Sequence, residues 1–184
     1  MNEHARPVAG LLRAYRPADS AEEADLDRCL SLAGGHDDPW SRTSPLHFTA
    51  SALVVDPAGD RVLLRWHQRQ RAWLQIGGHA DPGEQDALAI ALREGAEETG
   101  LPDLAPWPDT ELRQVVIVQV PEGKGEPAHE HADLRFLLAT GKPEGARAEH
   151  PGAPLRWLSP PDAAGLTREA NLRVLIARAA VLLG

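Results

Sequence analysis

Hydrophobic residues form a series of short runs in the middle of this chain. Between residues 51 and 66, two apolar runs flank the segment 56–60, which contains proline and glycine. Apolar runs separated by such a turn predict a β-hairpin. Runs at 113–120 and 132–139 predict a second strand pair, and 155–158 predicts a further short strand. The centre of the chain is therefore expected to form a β-sheet.

Helical spacing of apolar residues appears on either side of this central region. Near the start, Leu26, Cys29 and Leu30 lie three and four residues apart, and Ser20 with Glu23 has the form of a capping box. At the other end, residues 168–183 repeat apolar positions at helical intervals, which predicts an amphipathic helix lying on the sheet. We expect an N-terminal helical extension over residues 1–40 and one further domain over 41–184.

A third helix is predicted from about Asp86 to Thr99. This segment lacks proline, is rich in Ala and Leu, and is followed by Gly100, a residue suited to a left-handed helix terminus. On a helical wheel, three acids fall within an arc of roughly 100°: Glu94, Glu97 and Glu98. Leu88, Leu92 and Ala96 fall on the other side, so we expect the acids to face away from the core.

Composition and charge narrow the class of protein. The chain has 184 residues, 42% of them hydrophobic, which is enough for one domain with a sizeable core. Its net charge of -8 argues against a nucleic-acid binder, which would need Lys and Arg to replace phosphate counterions. The lone Cys29 excludes an internal disulfide and fits a reducing compartment such as the cytoplasm. No apolar run is long enough for a membrane span.

The three clustered acids repel one another unless a cation neutralises them. Carboxylate oxygens are ligands for Mg²⁺ or Mn²⁺, and bound metal both shields phosphate charge and lowers the pKa of a coordinated water. The glycines at 77 and 78 permit a close backbone approach, so the Gly77 carbonyl is a candidate further ligand. Arg93, four residues before Glu97, is placed to orient a carboxylate rather than to react.

Taken together, these residues resemble the box of the Nudix hydrolases, a family of MutT-like, Mg²⁺-dependent enzymes. The matching pattern is a glycine, Glu84, a spacer and then Arg-Glu-x-x-Glu-Glu-x-Gly-Leu, all within residues 78–101. Segments 47–52, 73–79 and 131–136 are similar to a bacterial subgroup without a well-defined substrate, and the resemblance spans roughly residues 40–158. It implies an α/β/α sandwich around a mixed sheet and hydrolysis of nucleoside diphosphates linked to another moiety.

By this resemblance, Glu94, Glu97 and Glu98 bind metal and activate water, while Arg93 and Glu84 form a supporting ion pair. Two features depart from the family pattern. The spacer of eight residues between Glu84 and Arg93 is one longer than usual, which puts the geometry of Glu84 in question. Gly95 stands where an aliphatic residue is usual, and glycine in a helix interior destabilises by about 0.5–1 kcal/mol relative to Ala.

Several assignments stay open at the level of sequence. The general base lies outside the box in many Nudix enzymes, and four residues qualify here: Glu130, His131, Asp133 and Glu149. His79, next to Gly78, is placed either to touch phosphate or to cap backbone groups. The leaving group is not specified, because selectivity depends on loops rather than on the fold. No motif decides whether the chain forms a homodimer.

Three functions are compatible with the pattern. The first is metal-dependent hydrolysis of a phosphoanhydride in a nucleoside triphosphate, a nucleotide sugar or a similar small molecule. The second is a nucleotide-binding or regulatory module that has the fold without turnover, against which the complete acidic set argues. The third, an isoprenoid diphosphate isomerase, needs a catalytic cysteine near the sheet, whereas Cys29 lies in the predicted N-terminal helix.

Overall fold

The computed structural model describes residues 6–35, 38–123, 125 and 127–184. Residues 1–5 and 36–37 of the predicted N-terminal extension lie outside this part. The helices are α1 (Arg6–Ala14), α2 (Ser20–Gly35), α3 (Ala87–Thr99), α4 (Pro160–Leu166) and α5 (Ala170–Leu183), with a 3-10 turn at Pro143–Gly145. The strands are β1 (Leu46–Asp56), β2 (Arg61–His67), β3 (Ala72–Leu74), β4 (Ile76–His79), β5 (Ala105–Pro106), β6 (Gln114–Val120), β7 (His129–Ala139) and β8 (Leu155–Leu158).

Strand β1 organises the sheet. It runs parallel to β7 along almost its whole length. On its other edge it pairs antiparallel with β4 at residues 49–52 and with β2 at residues 54–56. Strands β6 and β5 add to β7, while β3 and β8 add to β2. The expected mixed sheet is confirmed, as are the hairpin, the second strand pair and the short strand at 155–158.

Helices cover both faces of this sheet. Alternate residues of β1, such as Phe48 and Ala50, pack with α1, α2 and α3, whereas Leu53 and Val55 pack with α4 and α5. Because both faces are covered, β1 is buried over nearly all its length. Its second half accordingly reads as a continuous apolar run, Ala52 to Val55, whereas polar His47, Thr49 and Ser51 alternate with apolar residues in the first half. The three layers confirm the α/β/α sandwich. Among the described residues, no helix combines the length and apolarity needed to cross a bilayer.

The N-terminal helices belong to the main core. Leu12 of α1 and Cys29 of α2 are fully buried in the same cluster as Phe48. The predicted capping box at Ser20 is wrong in detail, since the Asp19 carboxylate accepts the hydrogen bonds from the amides of Ala21 and Glu22. A side chain one residue earlier thus satisfies the helix start. The domain boundary at residues 40 and 41 stays a prediction.

Helix α3 has the expected ends but not the expected orientation. Asp86 caps its start through the amides of Leu88 and Ala89, and Gly100 ends it in the left-handed conformation with φ 65°. The buried stripe consists of small and branched residues, namely Ala87, Ile90, Ala91, Gly95 and Thr99. The predicted core face is therefore wrong: Ala96 is exposed, and Leu88 and Leu92 are only half-buried. The helix is turned so that Glu94 and Glu98 flank the sheet.

Candidate active site

Strand β4 carries two glycines past the acidic face of α3. Gly77 has φ 144°, and a Cβ built on it would lie 2.2 Å from the Cβ of Ser51 on β1. A Cβ on Gly78 would lie 2.5 Å from the nearer carboxylate oxygen of Glu94. A side chain at Gly77 would collide with the β1 backbone, and one at Gly78 would displace the Glu94 carboxylate, so the glycines let backbone and carboxylates meet.

The three acids differ in their surroundings. The side chains of Glu94 and Glu98 are only 15% and 13% exposed, whereas that of Glu97 is 56% exposed. The Gly77 amide donates a hydrogen bond to Oε2 of Glu98 at 3.2 Å. The structure therefore joins Gly77, Gly78, Glu94 and Glu98 in one place, with Glu97 at its solvent edge.

Burial shifts the titration of the two inner acids. It raises the pKa of Glu98 to about 7, and the charges of Glu94 and Glu149 add to the rise, while Arg65 and the Gly77 amide oppose it. Burial also raises the pKa of Glu94, against the lowering effect of Arg93. Buried carboxylates held in this way resist ionisation, and a bound cation would remove that resistance.

Arg93 holds the acids in place. Its guanidinium donates to Glu84 at 2.8 Å, to Glu94 at 3.0 Å and to Glu97 at 3.0 Å. It also donates to the main-chain oxygen of His79 at 2.9 Å. The expected ion pair between Arg93 and Glu84 is thus present in the structure. The extra spacer residue is absorbed before Ala87, where α3 begins, so it does not rotate the acids.

Gly95 has a packing reason. A Cβ at this position would lie 2.8 Å from Cδ1 of Leu104, in the segment that follows α3. The missing side chain lets Leu104 approach the helix. This packing accounts for a glycine that, from the sequence, was expected only to destabilise the helix.

One candidate general base, Glu149, is joined to the acids through a shared partner. Arg65 of β2 contacts Glu98 at 3.0 Å and Glu149 at 3.3 Å. The Glu149 side chain is 52% exposed, so a water molecule can reach it and transfer a proton to it. The structure brings this loop residue to the site, as its sequence position alone could not show.

Asp133 and Glu130 have other partners. The buried Asp133 carboxylate accepts hydrogen bonds from Thr49 at 3.0 Å, Ser51 at 2.8 Å and Arg135 at 2.7 Å. Burial alone would raise the pKa of Asp133, but Arg135 and the hydroxyl donors lower it, which makes this group a poor proton acceptor. Glu130 forms an ion pair with Arg28 of α2 at 2.6 Å. These contacts favour structural roles for both acids.

His131 and His79 lie on the opposite side of the sheet from the acids. Successive strand residues alternate between faces, so Gly78 faces Glu94 while His79 points away from α3. There His79 and His131 meet two further histidines, His47 and His129. Sequence reasoning missed this pair, although the alternation of His129 and His131 along one strand was a usable signal. Burial, together with His131, Arg42 and the other histidines, lowers the pKa of His79 to about 3.

Cys29 does not form part of a catalytic site. It is fully buried within α2, and burial raises the pKa of its thiol to about 12. A thiol in this environment is neither an accessible acid nor a nucleophile. The isomerase alternative has no support from this residue.

This fold and this arrangement of glycines, arginine and acids define a class of protein. The NUDIX domain family matches residues 45–178, and the chain belongs to that family.

Particular relatives extend the comparison. The chain is 34% identical over 108 residues to a protein of Lactococcus lactis subsp. cremoris named as a probable DHNTP pyrophosphohydrolase. That match covers 58% of this chain and 61% of the relative, so the chain spans less than two thirds of that protein's length.

Solved structures share the fold. The E. coli dihydroneopterin triphosphate pyrophosphohydrolase gives a TM-score of 0.55 at 19% identity, covering 75% of this chain and 96% of that one. A C. elegans Ap4A hydrolase complex gives 0.58 at 23% identity, covering 74% and 96%. At these identities the likeness concerns the fold alone.

Proposed function

We propose that this chain is a divalent-cation-dependent hydrolase that cleaves a phosphoanhydride bond in a nucleoside diphosphate linked to another moiety. The observation that carries the proposal is the pair of buried acids, Glu94 and Glu98, placed against the Gly77 and Gly78 backbone. Burying two carboxylates destabilises the fold, and groups buried at such a cost are typical of functional sites. Membership of the NUDIX domain family supports the same reaction class.

The residues present fit Mg²⁺, with Mn²⁺ as a substitute. Both are hard cations that take oxygen ligands, and the site offers carboxylates of Glu94, Glu97 and Glu98 beside the Gly77 and Gly78 backbone. When bound, such a cation shields the charge of the phosphate oxygens and makes water a stronger nucleophile at neutral pH. The open side of the site, at Glu97, leaves an approach for the phosphates.

The protein's own groups have distinct tasks in this proposal. Arg93 fixes the rotamers of the carboxylates through several hydrogen bonds, which limits the reorganisation needed during reaction. Glu149 is the proposed proton acceptor for the attacking water, because Arg65 joins it to Glu98 and it remains exposed. Gly78 keeps the space into which the Glu94 carboxylate fits.

The substrate is proposed only as a class. Nucleoside triphosphates, nucleotide sugars and dinucleotides all contain the required bond. The names of the relatives add a dihydroneopterin triphosphate and Ap4A as compounds to test. Expected partners are small molecules; neither nucleic acid nor membrane is part of the proposal, and a homodimer is compatible with it.

One panel of these compounds, assayed with Mg²⁺ and with Mn²⁺, tests the proposal. Released phosphate, pyrophosphate and nucleoside monophosphate identify which bond is cleaved. We expect Glu98→Gln to lower kcat by at least 100-fold, a loss of about 3 kcal/mol of transition-state stabilisation. The exposed Glu111→Gln is the matched control and should keep full activity. Nucleotide binding by calorimetry without product from any compound would instead support a binding module.

A further inference from the structure

Four histidines from three strands converge on the face of the sheet away from α3. His47 of β1 stands beside His131 of β7 in the parallel register. Nε2 of His131 lies 3.2 Å from Nε2 of His79 and 3.1 Å from Nε2 of His129. One ring nitrogen from each of His47, His79 and His131 lies within 4.8 Å of the other two. We call these four residues the histidine cluster.

The spacing in the histidine cluster matches a metal centre. In a tetrahedral zinc site the metal–nitrogen distance is about 2.0–2.1 Å, which places neighbouring ligand nitrogens roughly 3.3 Å apart. The two distances from Nε2 of His131 to its neighbours, 3.2 Å and 3.1 Å, are close to this value. A metal could therefore enter between His79 and His131 with little movement of their rings. His129 lies beside His131 but outside the set of nitrogens within 4.8 Å of one another, so its ring must move to join as a fourth ligand.

Backbone contacts orient two of the rings for ligation. Nδ1 of His47 lies 2.8 Å from the Ser44 carbonyl oxygen, and Nδ1 of His129 lies 2.9 Å from that of Pro127. A carbonyl oxygen only accepts hydrogen bonds, so Nδ1 carries the proton in both rings. Nε2 then keeps its lone pair, which is the usual arrangement for a histidine that binds a metal through Nε2.

We propose that His47, His79 and His131, with His129 as a fourth ligand, bind a divalent transition-metal ion of the Zn²⁺ type. Imidazole nitrogen suits zinc, copper and nickel, whereas Mg²⁺ and Mn²⁺ prefer the carboxylate oxygens on α3. The site is thus chemically distinct from the acidic site and lies across β4 from it. It opens onto a cavity also lined by Arg42 and Gln70.

Cobalt binding tests this site without relying on turnover. The untagged full chain is treated with chelator, dialysed and titrated with Co²⁺ while visible absorption is recorded. We expect the intense bands of a tetrahedral nitrogen site, which Zn²⁺ abolishes by displacement and a large excess of Mg²⁺ leaves unchanged. A spectrum like that of aqueous Co²⁺ would overturn the proposal.

Matched variants separate this site from the acidic one. His131→Gln should weaken Co²⁺ binding by about 100-fold or more, since even changes to the partners of ligands cost 10–100-fold. His150→Gln, on an exposed loop, should bind as the parent does. Glu98→Gln should keep the Co²⁺ bands, so loss of hydrolysis and loss of this site are distinguishable. Undiminished binding in His131→Gln would contradict the proposal, and so would loss of the Co²⁺ bands in Glu98→Gln.

A second measurement covers the case in which His131→Gln fails to fold. X-ray absorption of the zinc-loaded parent counts the imidazole ligands directly. Three or four imidazole nitrogens at about 2.0 Å would support the site. Fewer than three would overturn it, whatever the behaviour of the variant.

Discussion

Glu98 is the residue at which stability and the proposed reaction conflict most directly. Its pKa is raised to about 7 by burial, against about 4.3 in an unfolded chain. Between these values the folded state binds more protons than the unfolded state does. Stability should therefore fall as pH rises through this window, provided that no divalent cation is bound.

Glu98→Gln should remove this loss. In the presence of chelator we expect the variant to be more stable than the parent by ~1–3 kcal/mol at pH 8, with the difference vanishing below about pH 4.3. Denaturant unfolding at several pH values measures it. If Glu98→Gln changed the free energy of unfolding by the same amount at pH 5 and at pH 8, ionisation of the buried Glu98 carboxyl would not be what destabilises the parent.

Gly78 is the residue that keeps a carboxylate in its position. In Gly78→Ala the new methyl group would meet the Glu94 carboxylate, the mobile end of a long side chain. We expect the fold to persist within about 1 kcal/mol and kcat/KM to fall at least tenfold, since a small displacement of a catalytic group is costly. Gly165→Ala, which has open space around it, is the control for both measurements and should leave activity unchanged.

At the scale of elements, an ion pair fastens the N-terminal helices to the C-terminal one. Arg178 of α5 donates to Glu22 of α2 at 2.9 Å and 3.0 Å, and to the Tyr15 hydroxyl at 3.1 Å. Burial alone would raise the pKa of Glu22, but Arg178, the Ala18 amide and Tyr15 together lower it. The contact therefore stabilises above the unfolded pKa and is lost as pH falls through the folded one.

Glu22→Gln should destabilise the protein by about 1–3 kcal/mol at pH 7, because it leaves Arg178 without its charged partner. The difference should shrink at pH 3, where the parent's own carboxyl is becoming protonated. Urea unfolding at both pH values measures this, with the exposed neighbour Glu23→Gln as the control. A pH-independent difference would mean that packing, not charge, is what the substitution removes.

The elements also show what the sequence could predict. Strands β1, β2, β6, β7 and β8 and helix α3 carried clear signals, namely apolar runs bounded by turns and a proline-free segment ended by Gly100. The short strands β3, β4 and β5 carried no such signal and were not predicted. The face of α3 did not, because the stripe that meets the sheet uses Gly95, Thr99 and alanines rather than large apolar residues. Close packing of a helix selects small side chains, which a count of hydrophobic positions overlooks.

Some residues of the two sites could be grouped from the sequence, and others could not. The acids and Arg93 lie within one segment, so spacing alone brought them together. The histidine cluster joins β1, β4 and β7, and its assembly depends on the parallel register of His47 with His131. Glu149 likewise meets Glu98 through Arg65, which lies on another strand. Sequence spacing carries no information on such contacts.

For the whole molecule, cation binding should appear as added stability. A ligand that binds only the folded state at 100 times its Kd stabilises by about 2.7 kcal/mol. For a chain of this size that corresponds to a rise in Tm of about 5–10 °C. We expect Mg²⁺ to produce such a rise in the parent and a much smaller one in Glu98→Gln. Sodium chloride at matched ionic strength is the control, and an equal rise with it would indicate general screening.

The residue alternation of strand β4 determines which of its residues faces the acids on α3 and which faces the histidine cluster. Adding or deleting one residue within Ile76–His79 would exchange the directions of Gly78 and His79, driving an imidazole toward Glu94 and leaving the histidine cluster without a member. The loop before α3 has no such constraint, as its extra residue shows. Insertions or deletions should therefore be tolerated in the loop after His79 and should be disruptive within β4, before it.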